Sequence, residues 1–175
     1  MRFRSVAFPL FILTIGILLI SASSVSAQTD DTVHIISLSG SGYERANSVS
    51  FSPAGTLLAV GGSSGIYLFD TWNLSALDFI QTNTWARSVA FLSGSNRLAA
   101  GLFDGTIKLW RIPEMQPIQN LTGHQGWVRS ISVSRDGTLI ASASDDDTVR
   151  IWKTADGETI LILNKDTQGV RAVAL

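Results

Sequence analysis

His124 is one of only two histidines in this 175-residue chain, so acid–base chemistry near neutral pH would fall to it first. A histidine base needs an orienting partner and a nearby nucleophile. Asp145-Asp146-Asp147 supplies carboxylates that a hard cation such as Ca²⁺ could use. Gly61-Gly62-Ser63-Ser64-Gly65 satisfies the G-x-S-x-G pattern of a hydrolase nucleophile elbow. Trp85-Ala86-Arg87 and Trp127-Val128-Arg129 bring together two residue types enriched in binding hot spots, and Arg171 repeats the arginine position. Asn73-Leu74-Ser75 and Asn120-Leu121-Thr122 fit the N-glycosylation pattern, which matters only in a host with that machinery. The chain has no cysteine, which excludes disulfides, thiolate zinc sites and cysteine nucleophiles.

The elements that carry these residues repeat. Val49, Val89, Ile131 and Val173 lie 40, 42 and 42 residues apart, and Phe69, Trp110 and Trp152 lie 41 and 42 apart. A fixed period of this length marks stacked supersecondary units. Within a unit the period is two: Val49 and Phe51, Val89 and Phe91, and Ile131 and Val133 alternate with small, mostly hydroxyl-bearing residues. Turn signals follow at residues 52–55, 93–96 and 134–137. A second strand is predicted over 57–60, 98–100 and 139–142, and a third over 66–69, 107–110 and 149–152. A variable fourth is predicted over 77–80, 117–121 and 159–163. Four antiparallel strands in about 40–45 residues is the spacing of a propeller blade.

This frame decides most of the chemical signals. The elbow pattern requires a strand before it and a helix after it, but Gly65 leads into a strand, so the segment reads as a hairpin turn. Asp145-Asp146-Asp147 aligns with Phe103-Asp104-Gly105 and lacks the acidic spacing of a calcium loop, so it also reads as a turn. A neutral His124 can bridge a carboxylate and a hydroxyl, a structural role. The Trp–Arg pairs, at the entry to each innermost strand, read either as packing between blades or as a partner-binding rim of Trp85, Arg87, Trp127, Arg129 and Arg171.

The repeats resemble the WD40 family. Gly123-His124 stands where that family has its Gly-His pair, and Trp152-Lys153, Trp110-Arg111 and Phe69-Asp70 stand where its Trp-Asp dipeptide falls. The resemblance implies a buried network of His124, Ser142, Asp146 and Trp152 in the third unit. In the second unit Asp104 and Trp110 are kept but Thr82 replaces the histidine; the first unit keeps only Phe69 and its Ser-Gly turn. It also implies an all-β propeller of four-stranded antiparallel blades whose rims hold other proteins or ligands.

Residues 1–27 read as a signal peptide: Arg2 and Arg4, an apolar run over 6–20, then Val25-Ser26-Ala27 before a cleavage point. The alternative is an uncleaved anchor built on residues 6–20. A linker at 28–32 and a partial propeller at 33–175 follow, with repeats near 39–80, 81–121 and 122–163 and the start of a fourth at 164–175. Seven blades would need about 290 residues. The expectation is therefore an open arc of about three blades plus one extra strand, cut from a longer protein, unless copies of the chain complete the ring. Residues 33–38 are expected as an outermost strand. A formal net charge of -1 gives no sign of a nucleic-acid partner. The reading is an exported, noncatalytic, protein-binding scaffold with no metal or cofactor. Its alternatives are the propeller part of a larger enzyme, or a binder of small ligands or glycans.

Overall fold

The computed structural model describes residues 45–94, 96–164 and 169–175. The expected signal peptide, the linker and the outer strand at 33–38 lie outside the described residues. Residues Ala46–Leu175 form one compact unit. Its first sheet is β1 (Ala46–Phe51), β2 (Leu57–Gly62), β3 (Gly65–Asp70) and β4 (Ala76–Gln81). The second is β5 (Ala86–Leu92), β6 (Arg97–Leu102), β7 (Ile107–Arg111) and β8 (Gln116–Leu121). The third is β9 (Val128–Val133), β10 (Leu139–Ser144), β11 (Thr148–Lys153) and β12 (Thr159–Asn164). Strand order follows chain order in every sheet, and all neighbours are antiparallel. No α-helix occurs among the described residues.

Alternation sorts each strand's side chains onto two faces, and both faces of the middle sheet are apolar. Val89, Leu98, Ala100, Leu102 and Trp110 bury themselves against Ala59, Ile66, Leu68 and Ile80 of the first sheet. Leu92, Ala99, Ile107, Leu109 and Leu121 do so against Val128, Ile131, Ile140 and Trp152 of the third. The core is thus two layers, one per junction. Glycine allows the sheets to meet closely: a Cβ on Gly101 would come within 2.5 Å of the Val128 Cγ1 atom.

The hydroxyls that alternate with the apolar residues of the innermost strands also join the sheets. Ser48 and Ser50 accept hydrogen bonds from the amides of Val89 and Phe91, at 3.1 and 3.2 Å. Ser88 accepts one from Ile131 at 3.1 Å. Ser130 and Ser132 accept from Val173 and Leu175, at 3.4 and 3.0 Å. Residues 169–175, expected as an innermost strand, follow the same track without forming a regular strand, because no described strand lies beyond them to pair with. A serine in these positions therefore satisfies a backbone donor of the next sheet.

Candidate functional site

Each sheet has two ends. The turns at 63–64, 82–85, 103–106, 122–127 and 145–147 gather at one of them, which carries the Trp–Arg pairs, His124, Asp104 and Asp146, while Trp110 and Trp152 stand near the other ends of β7 and β11. The Gly61–Gly65 segment joins β2 to β3 directly, with Gly65 already in the strand, so no helix receives the serine. The elbow geometry is absent.

His124, Ser142, Asp146 and Trp152 come together in the third sheet. The Trp152 Nε1–H donates to Ser142 Oγ at 2.7 Å, and Ser142 Oγ lies 2.7 Å from His124 Nε2. His124 Nδ1 lies 2.9 Å from Asp146 Oδ2. One proton arrangement satisfies every group: indole N–H to hydroxyl, hydroxyl O–H to Nε2, and Nδ1–H to carboxylate. It requires a neutral ring. Burial pushes the His124 pKa down, outweighing the upward pull of the Asp146 hydrogen bond and charge. Burial alone would raise the Asp146 pKa. Hydrogen bonds from Thr148, the Gln125 amide and His124 win, and hold the carboxyl well below the usual range. Asp146 Oδ1 accepts from the Thr148 amide at 3.0 Å and from its hydroxyl at 2.6 Å. Gly126 makes room for this: a Cβ there would meet the Asp146 amide nitrogen at 2.7 Å. Ser142 and Trp152 are fully buried and His124 nearly so, leaving no free nucleophile or open face. The arrangement is a scaffold for the turn.

Asp104 and Trp110 are not joined in this way. Among the described residues, Asp104 Oδ1 accepts only from Thr106 of its own turn, at 2.9 and 2.6 Å. Ala100 holds the place of Ser142 in the second sheet, so the Trp110 indole has no hydroxyl to donate to there. The Thr82 hydroxyl donates to Thr84 O at 2.5 Å, within its own loop.

The rim residues sit on a backbone irregularity that repeats. In the first sheet Ala46 pairs with Gly62 and Ser48 with Gly61, which leaves Asn47 as the extra residue. Arg87 is the extra residue in the second sheet and Arg129 in the third. A bulge re-aims its side chain out of the pleat. The Arg129 guanidinium makes a two-pronged ion pair with Asp145, at 2.6 and 2.7 Å, and lies 5.1 Å above the Trp127 ring. Arg87 has no carboxylate in the corresponding place, because Phe103 stands where Asp145 does. Arg171 is exposed.

Phe103 was invisible as a site residue in the sequence, yet it links the two tryptophans. Its ring stacks on Trp127 at 3.8 Å and meets Trp85 at 5.5 Å. Trp85 is 36% exposed and Trp127 39%. Three rings and a guanidinium thus form one continuous surface across the junction of the second and third sheets. The only signal in the sequence was an aromatic residue in a turn where the neighbouring repeat has an acid. Among the described residues no group of three or more His, Cys, Asp or Glu side chains is arranged to hold a metal ion.

The WD40 family profile (WD domain, G-beta repeat) matches residues 32–70, 75–111 and 115–153. The chain belongs to the WD40 repeat family. Comparison with curated protein sequences returns no match. Two of the matched spans begin near the outermost strand of one sheet and end in the third strand of the next, so each repeat stitches two sheets together. Repeats of this kind build scaffolds for protein interaction.

Proposed function

We propose that this chain is an exported, noncatalytic docking module that holds a partner protein on the rim formed by Trp85, Phe103, Trp127, Arg87 and Arg129. The observation that carries the reading is the pairing of bulged arginines with an exposed aromatic stack. Rings held against one another and a guanidinium fixed by Asp145 lose little conformational freedom when a partner arrives. Large, rigid, amphipathic side chains of this kind dominate the energy of protein interfaces. Arg171, in register with Arg129, extends the same rim. Export rests on the pattern of residues 1–27, with Gln28 as the first residue of the mature protein.

A photoreactive benzoylphenylalanine placed at Phe103 tests the docking surface in the producing cell. A single discrete protein adduct is expected, which Trp127→Ala should abolish and Arg87→Ala should reduce. The same adduct obtained equally from a probe at Asp156, on the opposite strand ends, would overturn the reading. N-terminal sequencing of the secreted protein, expected to begin at Gln28, tests export.

A further inference from the structure

The opposite strand ends hold a second surface. Equivalent positions at the two sheet junctions carry contrasting residues there. Between the second and third sheets, Arg97 Nη1 donates to Thr154 O at 3.2 Å, and within the third sheet Thr154 Oγ1 donates to Gly137 O at 2.8 Å. Gly157 lies so close over Gln119 that a Cβ on it would meet the amide nitrogen at 2.7 Å. That junction is sealed by polar bonds and close packing.

Between the first and second sheets, Leu57 takes the place of Arg97, Ile112 that of Thr154, Met115 that of Gly157 and Asp78 that of Gln119. The result is a cavity of about 250 Å³ floored by Leu57, Leu68, Ile112, Pro113 and Met115. A neighbouring cleft of about 430 Å³ shares Leu57, Ile112 and Pro113 and runs on past Pro53 and Phe91. Met115 adopts φ 54, where the third sheet has Gly157 at φ 81. Leu74 holds the same turn position of the first sheet at φ 55, so the left-handed residue belongs to the turn, and it is the Met115 side chain that is particular to this groove. Leu77, at the groove's edge, is 52% exposed.

The rim of this groove is acidic. Asp78 lines it and Glu114 lies between the lining residues Pro113 and Met115, while Asp70, paired with Leu57, accepts from the Trp72 and Asn73 amides of its own turn. None of the three forms a salt bridge among the described residues, whose ion pairs are His124–Asp146, Arg129–Asp145 and Lys153–Glu158. The nearby cations look away: Arg97 bonds to the third sheet, and Arg111 Nη1 donates to Gln116 of its own turn.

We infer that this groove binds an extended segment of another protein in which apolar side chains alternate with lysine or arginine. The apolar floor takes the aliphatic side chains, which leave water on binding. The Asp78 and Glu114 carboxylates flank them and select cationic neighbours by complementary charge, which governs specificity and encounter rate more than affinity. The inference does not depend on the aromatic rim, since no residue is shared.

The test uses the full chain and a fluorescein-labelled peptide of alternating leucine and lysine, with a leucine–glutamate peptide as its counterpart, followed by anisotropy. The lysine peptide is expected to bind at least tenfold more tightly, and its affinity should fall as salt rises. Asp78→Asn with Glu114→Gln should weaken it about fivefold, in line with two exposed ion pairs. Leu77→Ala should weaken it further, while both variants keep the parent melting temperature. Glu158→Gln, an acid on the same strand ends but at the sealed junction, should leave binding unchanged. Failure of the lysine peptide to bind, or equal binding of the two peptides, would overturn the inference. So would indifference to the double substitution. Sedimentation that shows a dimer dispersed by Asp78→Asn with Glu114→Gln would overturn it in favour of a second copy of this chain.

Discussion

The second and third sheets have the same strand order, the same bulge and nearly the same lengths, yet they solve one problem differently. In the third, a loop histidine, a strand serine, a turn aspartate and a tryptophan close a buried chain of hydrogen bonds. In the second, Thr82, Ala100, Asp104 and Trp110 occupy those places and no such chain forms. The fold is therefore held by features both sheets share: apolar alternation, serine-to-amide bonds between sheets, and a large aromatic ring in the third strand. The network adds local definition. It ties the 122–127 loop to the 145–147 turn, the pair of segments that present Trp127 and Asp145 at the rim.

Trp152→Ala is expected to have the largest effect, about 3–5 kcal/mol, because the ring is fully buried and a cavity would remain. Trp110→Ala should cost a similar amount, since it too is almost fully buried. The pair becomes informative when phenylalanine is used instead. Trp152→Phe removes a donor from the network, whereas Trp110→Phe removes none from a hydroxyl. Chemical denaturation should find the first costlier by about 1 kcal/mol. Equal costs would mean that the network contributes nothing beyond its volume.

Ser142→Ala is the next step down. It leaves the Trp152 indole N–H and His124 Nε2 without their shared partner, and orphaned buried groups cost about 1–3 kcal/mol. The reciprocal change in the second sheet, Ala100→Ser, offers the Trp110 indole a hydroxyl but no histidine, so a gain is not expected there. A stability for Ser142→Ala within error of the parent would erase the distinction between the two sheets.

Most of the architecture was legible in the sequence because alternation and turn chemistry are local. All four strands of each unit fall where the period of two and the Gly-, Ser- and Asp-rich turns place them, with ends differing by up to three residues. The network was legible by resemblance, because its residues recur at fixed places in the repeat. The rim was legible only as residue types. That Arg87 and Arg129 sit on bulges is a matter of register between strands, which no single strand encodes. Phe103 reaches Trp127 across two sheets, a contact between residues 24 positions apart with no periodic signature. The groove between the first two sheets was hidden for a similar reason. It arises from substitutions at equivalent positions, Leu57 for Arg97 and Met115 for Gly157, whose meaning depends on which face each strand turns to its neighbour.

Acid should distinguish the two sheets as well. Folding holds the His124 pKa below its ordinary value of 6.5, so at a pH just under that value the unfolded chain binds more protons than the folded one. Stability therefore falls as pH drops below about 6.5. Asp146 acts lower down: its folded pKa lies beneath the ordinary 3.8, so its contribution is present above that value and is lost as pH falls further. Thermal melts between pH 8 and 5 should show a declining midpoint for the parent and a flatter one for His124→Gln. A parent midpoint that rises towards pH 5 would mean that the buried ring carries its charge in the folded state.

The smallest effect concerns the rim itself. Arg129 and Arg87 occupy the same bulge, but only Arg129 has an acid to hold it, and burial of that pair is partial. Partly exposed pairs contribute about 0–1 kcal/mol, so Arg129→Ala should lower stability by no more than about that amount. Arg87→Ala should change it less, because no ion pair is lost. Both substitutions should nevertheless weaken capture of a partner at Phe103, by unequal amounts. Arg129 is already neutralised by Asp145 and chiefly supports the Trp127 ring, whereas Arg87 has its charge free for a partner. Arg87→Ala is therefore expected to slow association at low salt, and Arg129→Ala to speed dissociation at any salt. A salt-independent defect for Arg87→Ala would show that its guanidinium serves packing against the aromatic stack instead of steering a partner to it.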